Sequence, residues 1–175
     1  MILKLKRTPA IYLVGFMGCG KSTVGRALAE ELGWKFSDLD EEIERAAQTT
    51  ISAIFETQGE PAFRELESAA LRERVRVAKS GRPQVISLGG GAFLSEENCE
   101  LAINHGVAIW LDCPFSMIER RVGSETHRPL ARDPEQLRAL FESRRPGYAR
   151  ADFRVEIEDD DARAAVARIL ALPLF

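Results

Sequence analysis

Gly15-Phe16-Met17-Gly18-Cys19-Gly20-Lys21-Ser22 decides the reading of this chain. Its spelling is G-x-x-x-x-G-K-[ST], and it stands between an apolar run, Ile11 to Gly15, and a helical pattern, Lys21 to Leu32. Chance gives such a match in about one per cent of chains this long or fewer, and the strand-then-helix flanks lower that further. The rival reading, a glycine-rich turn with an incidental lysine, would not require those flanks. Glycine at 15, 18 and 20 lets the backbone fold tightly, so that successive amide hydrogens and the helix N-terminus can surround a β-phosphate. Gly18, Cys19 and Gly20 form that cradle, Lys21 is placed to reach the β- and γ-phosphates, Ser22 to ligate Mg²⁺, and Thr23 to touch the α-phosphate. The loop calls for MgATP but leaves the acceptor open.

Outward from the loop, strand-length apolar runs recur at 34–39, 84–88, 107–111 and 153–157. The runs at 11–15, 84–88 and 107–111 are apolar nearly throughout, as parallel strands covered on both faces should be. Helical patterns lie between them, at 40–47, 51–58, 61–79, 95–105, 114–122, 134–144 and 161–172. Asp133 before Pro134, with Gln136 following, reads as an N-cap and capping box, while Gly33, Gly81 and Gly106 fall where helices should stop. Alternating strands and helices without a repeat or low-complexity linker predict an α/β layered fold on a parallel sheet, with ligands at the carboxyl ends of the strands.

The 175 residues suit a single domain over 1–175. With 45% hydrophobic and 29% charged residues, the chain has enough apolar side chains for a packed core. A net charge of -3 argues against general attraction to nucleic acid or an anionic membrane. Cys19, Cys99 and Cys113 are odd in number and far apart, which speaks for a reducing, cytoplasmic setting over a disulfide framework or a metal site. Lys4, Lys6 and Arg7 ahead of an apolar stretch mimic a short leader, but the stretch runs straight into the glycine loop and reads as a buried first strand. No apolar run has bilayer-spanning length.

Asp38 and Asp40 stand two apart at the end of the second strand, so in extended chain both point toward the ligand edge. Phosphoryl transfer needs one acid for Mg²⁺ or its waters and another for the attacking hydroxyl. The alternative is that Asp40 merely caps the next helix. No aspartate ends the third strand, so the metal-side acid falls to Asp38. Gly89-Gly90-Gly91 after that strand would let a small ligand approach the backbone closely, or would simply turn the chain. Arg64, Arg128, Arg144 and Arg145 recur where an anion would need guanidinium forks, although any one of them alone reads as a solvated surface charge.

Taken together, the loop, Ser37-Asp-Leu-Asp40, Ile51-Ser-Ala-Ile-Phe55, Gly59-Glu60, Phe63-Arg64 with Glu67, Gly89-Gly90-Gly91, Arg128-Pro-Leu130 and Arg144-Arg-Pro-Gly-Tyr148 resemble the shikimate kinase family. The resemblance spans almost the whole chain. It implies a three-layer P-loop kinase fold with sheet order 2-3-1-4-5 and helices on both faces, a substrate-binding segment around 40–70, and a mobile lid around 123–133. It implies that ATP and shikimate are the small-molecule substrates of a monomer, with Mg²⁺ held by Ser22 and Asp38. By the same resemblance Asp40 binds ring hydroxyls and is the candidate base, Arg64 and Arg144 clamp a carboxylate, Glu67 orients Arg64, and Gly90, flanked by Gly89 and Gly91, donates its amide. Arg121 is similar to the family's adenine-stacking arginine, and Arg128 would fold from the lid over the phosphates. The chain departs from the family pattern at Ala131, commonly leucine, and at Asp160-Asp161-Ala162, where an arginine and a proline are common. A kinase for gluconate or a nucleoside monophosphate, or a nucleotide-binding module without phosphoryl transfer, are the rival readings. His127, in the lid, reads as an exposed loop residue; His105, at a helix end, reads as a site where the helix dipole favours a cation.

Overall fold

A computed structural model describes residues 10–123 and 133–174. Five strands, β1 (Ala10–Val14), β2 (Lys35–Asp38), β3 (Gln84–Ser87), β4 (Val107–Asp112) and β5 (Phe153–Glu156), pair in the order β2-β3-β1-β4-β5. Every pairing is parallel. Tyr12 lies in register with Ile86 on one side and Ala108 on the other, which places β1 at the centre of the sheet. All of β1 and β3 is buried, and so is β4 after its first residue, because helices cover both faces of the sheet. Leu13, Ile86, Ile109 and Phe93 sit inside one contiguous cluster of buried side chains.

The helices among the described residues are α1 (Lys21–Leu32), α2 (Leu39–Ala47), α3 (Ile51–Lys79), α4 (Glu96–His105), α5 (Phe115–Gly123), α6 (Pro134–Tyr148) and α7 (Ala162–Leu170). The two helices expected at 51–58 and 61–79 form one element broken at Gly59, whose φ of 83° and ψ of 168° lie outside the helical region. Pro61 follows at the restart, where a missing amide costs least. The turn Ala92–Leu94, just after the glycine triplet, is a 3₁₀ element absent from the sequence reading.

Helix starts are chemically marked, at Asp133 as expected and at three further caps. Thr50, Ser95, Asp133 and Asp161 each accept a backbone amide in the first turn of α3, α4, α6 and α7. Helix α6, however, runs four residues beyond the expected end at Arg144, through Pro146. Pro146 removes one backbone donor, but the final turn is anchored from both sides. Arg145 bonds Asp112 at 2.6 and 2.9 Å, and Tyr148 is buried. At His105, in the last turn of α4, burial first and the nearby Lys79 charge second hold the imidazole pKa below its ordinary value. No helix among the described residues is long and apolar enough to cross a membrane.

Candidate active site

Because all strands run in parallel, their carboxyl ends share one edge, and the sequence-marked residues gather there. Between β1 and α1 the loop turns through Gly15, Gly18 and Gly20, all at positive φ. Lys21, the first residue of α1, is buried and folds back over the loop, donating to the carbonyls of Gly15 at 2.9 Å and Phe16 at 3.0 Å. A cavity of about 250 Å³ opens in front of it, lined by Lys21, Ser22, Asp38, Asp40, Gly89 and Gly90 among others.

Asp38, the last residue of β2, performs two tasks with its two oxygens. Oδ1 caps α2, accepting the amides of Asp40 at 3.1 Å and Glu41 at 3.3 Å, and Oδ2 accepts the Ser22 hydroxyl. The helix cap is therefore Asp38 and not Asp40, whose half-buried side chain stands in the cavity wall. Ser22 and Asp38 are hard oxygen donors in contact, open to the cavity. Mg²⁺ typically takes one or two carboxylates and leaves its other positions to waters and phosphates, so this pair fits it. Among the described residues no group of three or more His, Cys, Asp or Glu forms a self-sufficient metal cage.

The glycine triplet is where the charged side chains converge. A Cβ on Gly89 would lie 2.7 Å from Asp40 Oδ1 and 3.1 Å from Glu67 Oε1. On Gly90 it would lie 3.3 Å from Arg144 Nη1, and on Gly91 2.5 and 2.6 Å from the two terminal nitrogens of Arg64. Side chains there would displace two acids and two guanidinium groups, which gives the triplet a physical reason beyond turning the chain. The Tyr148 hydroxyl donates to the Gly90 carbonyl at 2.5 Å and pins its peptide; burial pushes this phenol's pKa up.

Arg64 donates to Glu67 Oε2 at 2.9 Å and to Glu60 Oε1 at 3.1 Å, one helical turn along α3 in each direction. Burial alone would lower the Arg64 pKa, but the bonds and charges of Glu67 and Glu60 outweigh it and raise it. Glu67 is almost wholly buried, and this desolvation raises its pKa despite the counteracting Arg64. Its second oxygen, Oε1, is buried without a hydrogen-bond partner among the described residues. Arg144, on α6, stands over the Phe16 ring with its guanidinium carbon 5.7 Å from the centroid. Arg145, its neighbour, faces elsewhere and belongs to a buried-acid network with Asp112 and Arg154 over Trp110.

On the other side of the glycine loop lies a cleft of about 370 Å³, bounded by Gly18, Cys19, Gly20, Thr23, Arg121 and residues 159–162. Arg121 spans it, donating to the Gly18 carbonyl at 2.8 Å and to Asp160 at 2.6 and 3.1 Å. The segment at 160–162, where the chain departs from the family pattern, thus supplies both the α7 cap, through Asp161, and this bridge, through Asp160. Sequence reasoning passed over Asp160, Tyr148 and Glu60 as partners; only the capping position of Asp161 had a local signal. Arg128, His127 and Ala131, with most of the proposed lid at 123–133, lie outside the described residues.

A phosphate loop ending the central strand, Asp38 at the end of β2 in contact with Ser22, Asp40 in the first turn of α2, and Arg64 and Arg144 gathered at the glycine triplet are the arrangement of a P-loop kinase site. The model of the family described as shikimate kinase matches residues 17–172. The shikimate kinase of Cereibacter sphaeroides is 44% identical over 97% of this chain and 83% of its own length, and that of Persephonella marina 42% over 91% and 96%. Among solved structures, a shikimate kinase from Acinetobacter baumannii in complex with shikimate superposes with a TM-score of 0.85 at 40% identity, covering 95% of this chain and 93% of that one. The chain belongs to the shikimate kinase family.

Proposed function

We propose that the chain transfers the γ-phosphoryl group of ATP to the 3-hydroxyl of shikimate, releasing ADP and shikimate 3-phosphate. The observation that carries this reading is the meeting of two anion seats at one cavity. Lys21 lines it from the phosphate loop, Gly89 and Gly90 line it as well, and Arg144 and Arg64 crowd Gly90 and the adjoining Gly91. A triphosphate needs the first seat and a carboxylate the second.

In this mechanism Lys21 exchanges its two carbonyl partners for the β- and γ-phosphates as nucleotide enters. Ser22 and Asp38 would hold Mg²⁺, which when bound neutralises charge on the β- and γ-oxygens. Gly18, Cys19, Gly20 and Thr23 surround the remaining phosphates. Arg64 and Arg144 clamp the shikimate carboxylate, with Glu67 fixing Arg64 and the Gly90 amide adding a donor between Gly89 and Gly91. The free Glu67 oxygen leaves an acceptor for a ring hydroxyl. Asp40 then receives the proton of the attacking hydroxyl, or orients that hydroxyl, while the new P–O bond forms and the bond to the β-phosphate oxygen breaks. Residues 123–133 act as a lid that excludes water, and Arg128 stabilises the charge in transfer. A single domain with its acceptor-binding segment at 40–70, working as a cytoplasmic monomer, completes the reading.

The experiment is to incubate the protein with MgATP with and without shikimate and to follow ADP release and the phosphorus NMR spectrum. Shikimate-dependent ADP release with one new phosphomonoester is the expected result. Equal turnover without shikimate, or a phosphoester formed only with gluconate or a nucleoside monophosphate, would reject the acceptor.

A further inference from the structure

The cleft behind the phosphate loop carries a feature that the reaction itself does not require. Asp160 stands at the head of α7 with both carboxylate oxygens committed to arginines from α5. Oδ1 accepts Arg121 Nη2 at 2.6 Å and Nε at 3.1 Å, while Oδ2 accepts Arg120 Nη2 at 2.6 Å. Arg121 meanwhile reaches the opposite wall, where its Nη1 donates to the Gly18 carbonyl at 2.8 Å. The guanidinium is thus tied at its edges to the phosphate loop on one side and to the β5–α7 loop on the other.

Guanidinium donors lie in the plane of the group, so edge bonds fix that plane without using the π-face on which a flat ring can stack. Arg121 lines the cleft and is only a quarter exposed, whereas the Asp160 side chain is mostly solvated. The exposed partner therefore holds the enclosed one. The bond from Arg121 is the main reason that the Asp160 carboxyl titrates below its ordinary range, so the tie is charged throughout the neutral range.

We propose that Asp160 is a positioning residue for nucleotide binding: it holds the Arg121 guanidinium as a flat, pre-ordered platform against which the base of ATP stacks. This rests on the reading of Arg121, by resemblance, as the adenine-stacking arginine, which makes its cleft the base site. It assigns no contact between Asp160 and the nucleotide; a carboxylate near a polyphosphate would by itself repel it, so the two roles predict opposite signs. Pre-ordering lowers the cost of fixing a long, rotamer-rich side chain when the base arrives. Since the pair is exposed on one side, its effect is modest.

The test measures MgADP affinity by direct titration without any acceptor, together with KM for ATP and kcat, in the protein, Asp160→Ala, Arg121→Ala and the double variant. Asp160→Ala is expected to weaken MgADP and raise KM for ATP by about three- to tenfold, with kcat and KM for shikimate within twofold. In the Arg121→Ala background the same change is expected to have no further effect, because Asp160 acts only through that arginine. MgADP affinity that is unchanged or tighter in Asp160→Ala would overturn the proposal, as would a loss that simply adds to that of Arg121→Ala. Thermal melting of each variant separates a loosened α7 from a loosened platform: a weaker nucleotide with an unchanged melting temperature is the predicted pattern, and a loss of affinity that tracks the melting temperature would contradict it. Since the titration contains no acceptor, a failure of the shikimate assignment would leave this result standing, and the reverse also holds.

Discussion

Replacing Gly91 by alanine inserts a methyl group where the Arg64 guanidinium now lies. The backbone at Gly91, with φ −101° and ψ −15°, is one that alanine adopts without strain, so the perturbation is confined to side-chain space. The new Cβ would sit 2.5 Å from Nη1, 2.6 Å from Nη2 and 2.8 Å from Cζ, against an ordinary contact of 3.4–4 Å. The guanidinium must retreat by about 1 Å, which carries the 2.9 Å bond to Glu67 out of hydrogen-bonding range. One charge-assisted hydrogen bond is worth about 1.5–3 kcal/mol, so KM for shikimate should rise about 10- to 150-fold. Because the bond lost is one to the buried Glu67 carboxylate, folding stability should fall as well, by about 1–3 kcal/mol. The assay is coupled ADP release at saturating MgATP with shikimate varied, followed by the converse titration. KM for ATP should stay within twofold. A folded Gly91→Ala protein with an unchanged KM for shikimate would refute the placement of Arg64 in the carboxylate seat.

Three other outcomes follow from the geometry. Asp112→Ala strips the partner from Arg145 and Arg154 and should cost about 2–3 kcal/mol of stability in urea denaturation, less than a fully buried pair because both arginines are partly solvated. Tyr148→Phe removes the bond to the Gly90 carbonyl and should cost about 1 kcal/mol, while raising KM for shikimate more than KM for ATP. Burial raises the Glu67 pKa above its ordinary 4.5, so Glu67 binds a proton more tightly in the folded chain. Its contribution to stability is then full below about pH 4.5 and is lost as pH rises through the raised folded value. Urea denaturation across that range should show a downward slope that Glu67→Gln flattens; parallel curves for the two proteins would contradict it.

Much of the fold was legible because its signals are local. The phosphate loop is one contiguous octet, the buried strands are apolar runs, and the cap at Asp133 is written beside the helix it starts. What stayed hidden depends on which way a side chain turns. Arg144 and Arg145 are adjacent, and neighbours on a helix point about 100° apart, so one meets the glycine triplet and the other Asp112. Asp38 and Asp40 both pointed to the ligand edge in the sequence, but the capping task fell to Asp38, since the helix begins one residue earlier than expected, at Leu39. The extension of α6 through Pro146 was masked by a local breaker that tertiary anchors overrule. Asp160 carried no local signal at all: its partners are some forty residues away, and only the packing of α5 beside the β5–α7 loop joins them.

The proposed function turns on two anion seats, one at Lys21 and one at Arg64 and Arg144, and equilibrium titration separates them. Shikimate and MgADP are each titrated onto the protein and onto Arg64→Ala. Shikimate affinity is predicted to fall at least about tenfold in the variant while MgADP affinity stays within twofold. Equal losses for both ligands, or no loss of shikimate, would contradict it.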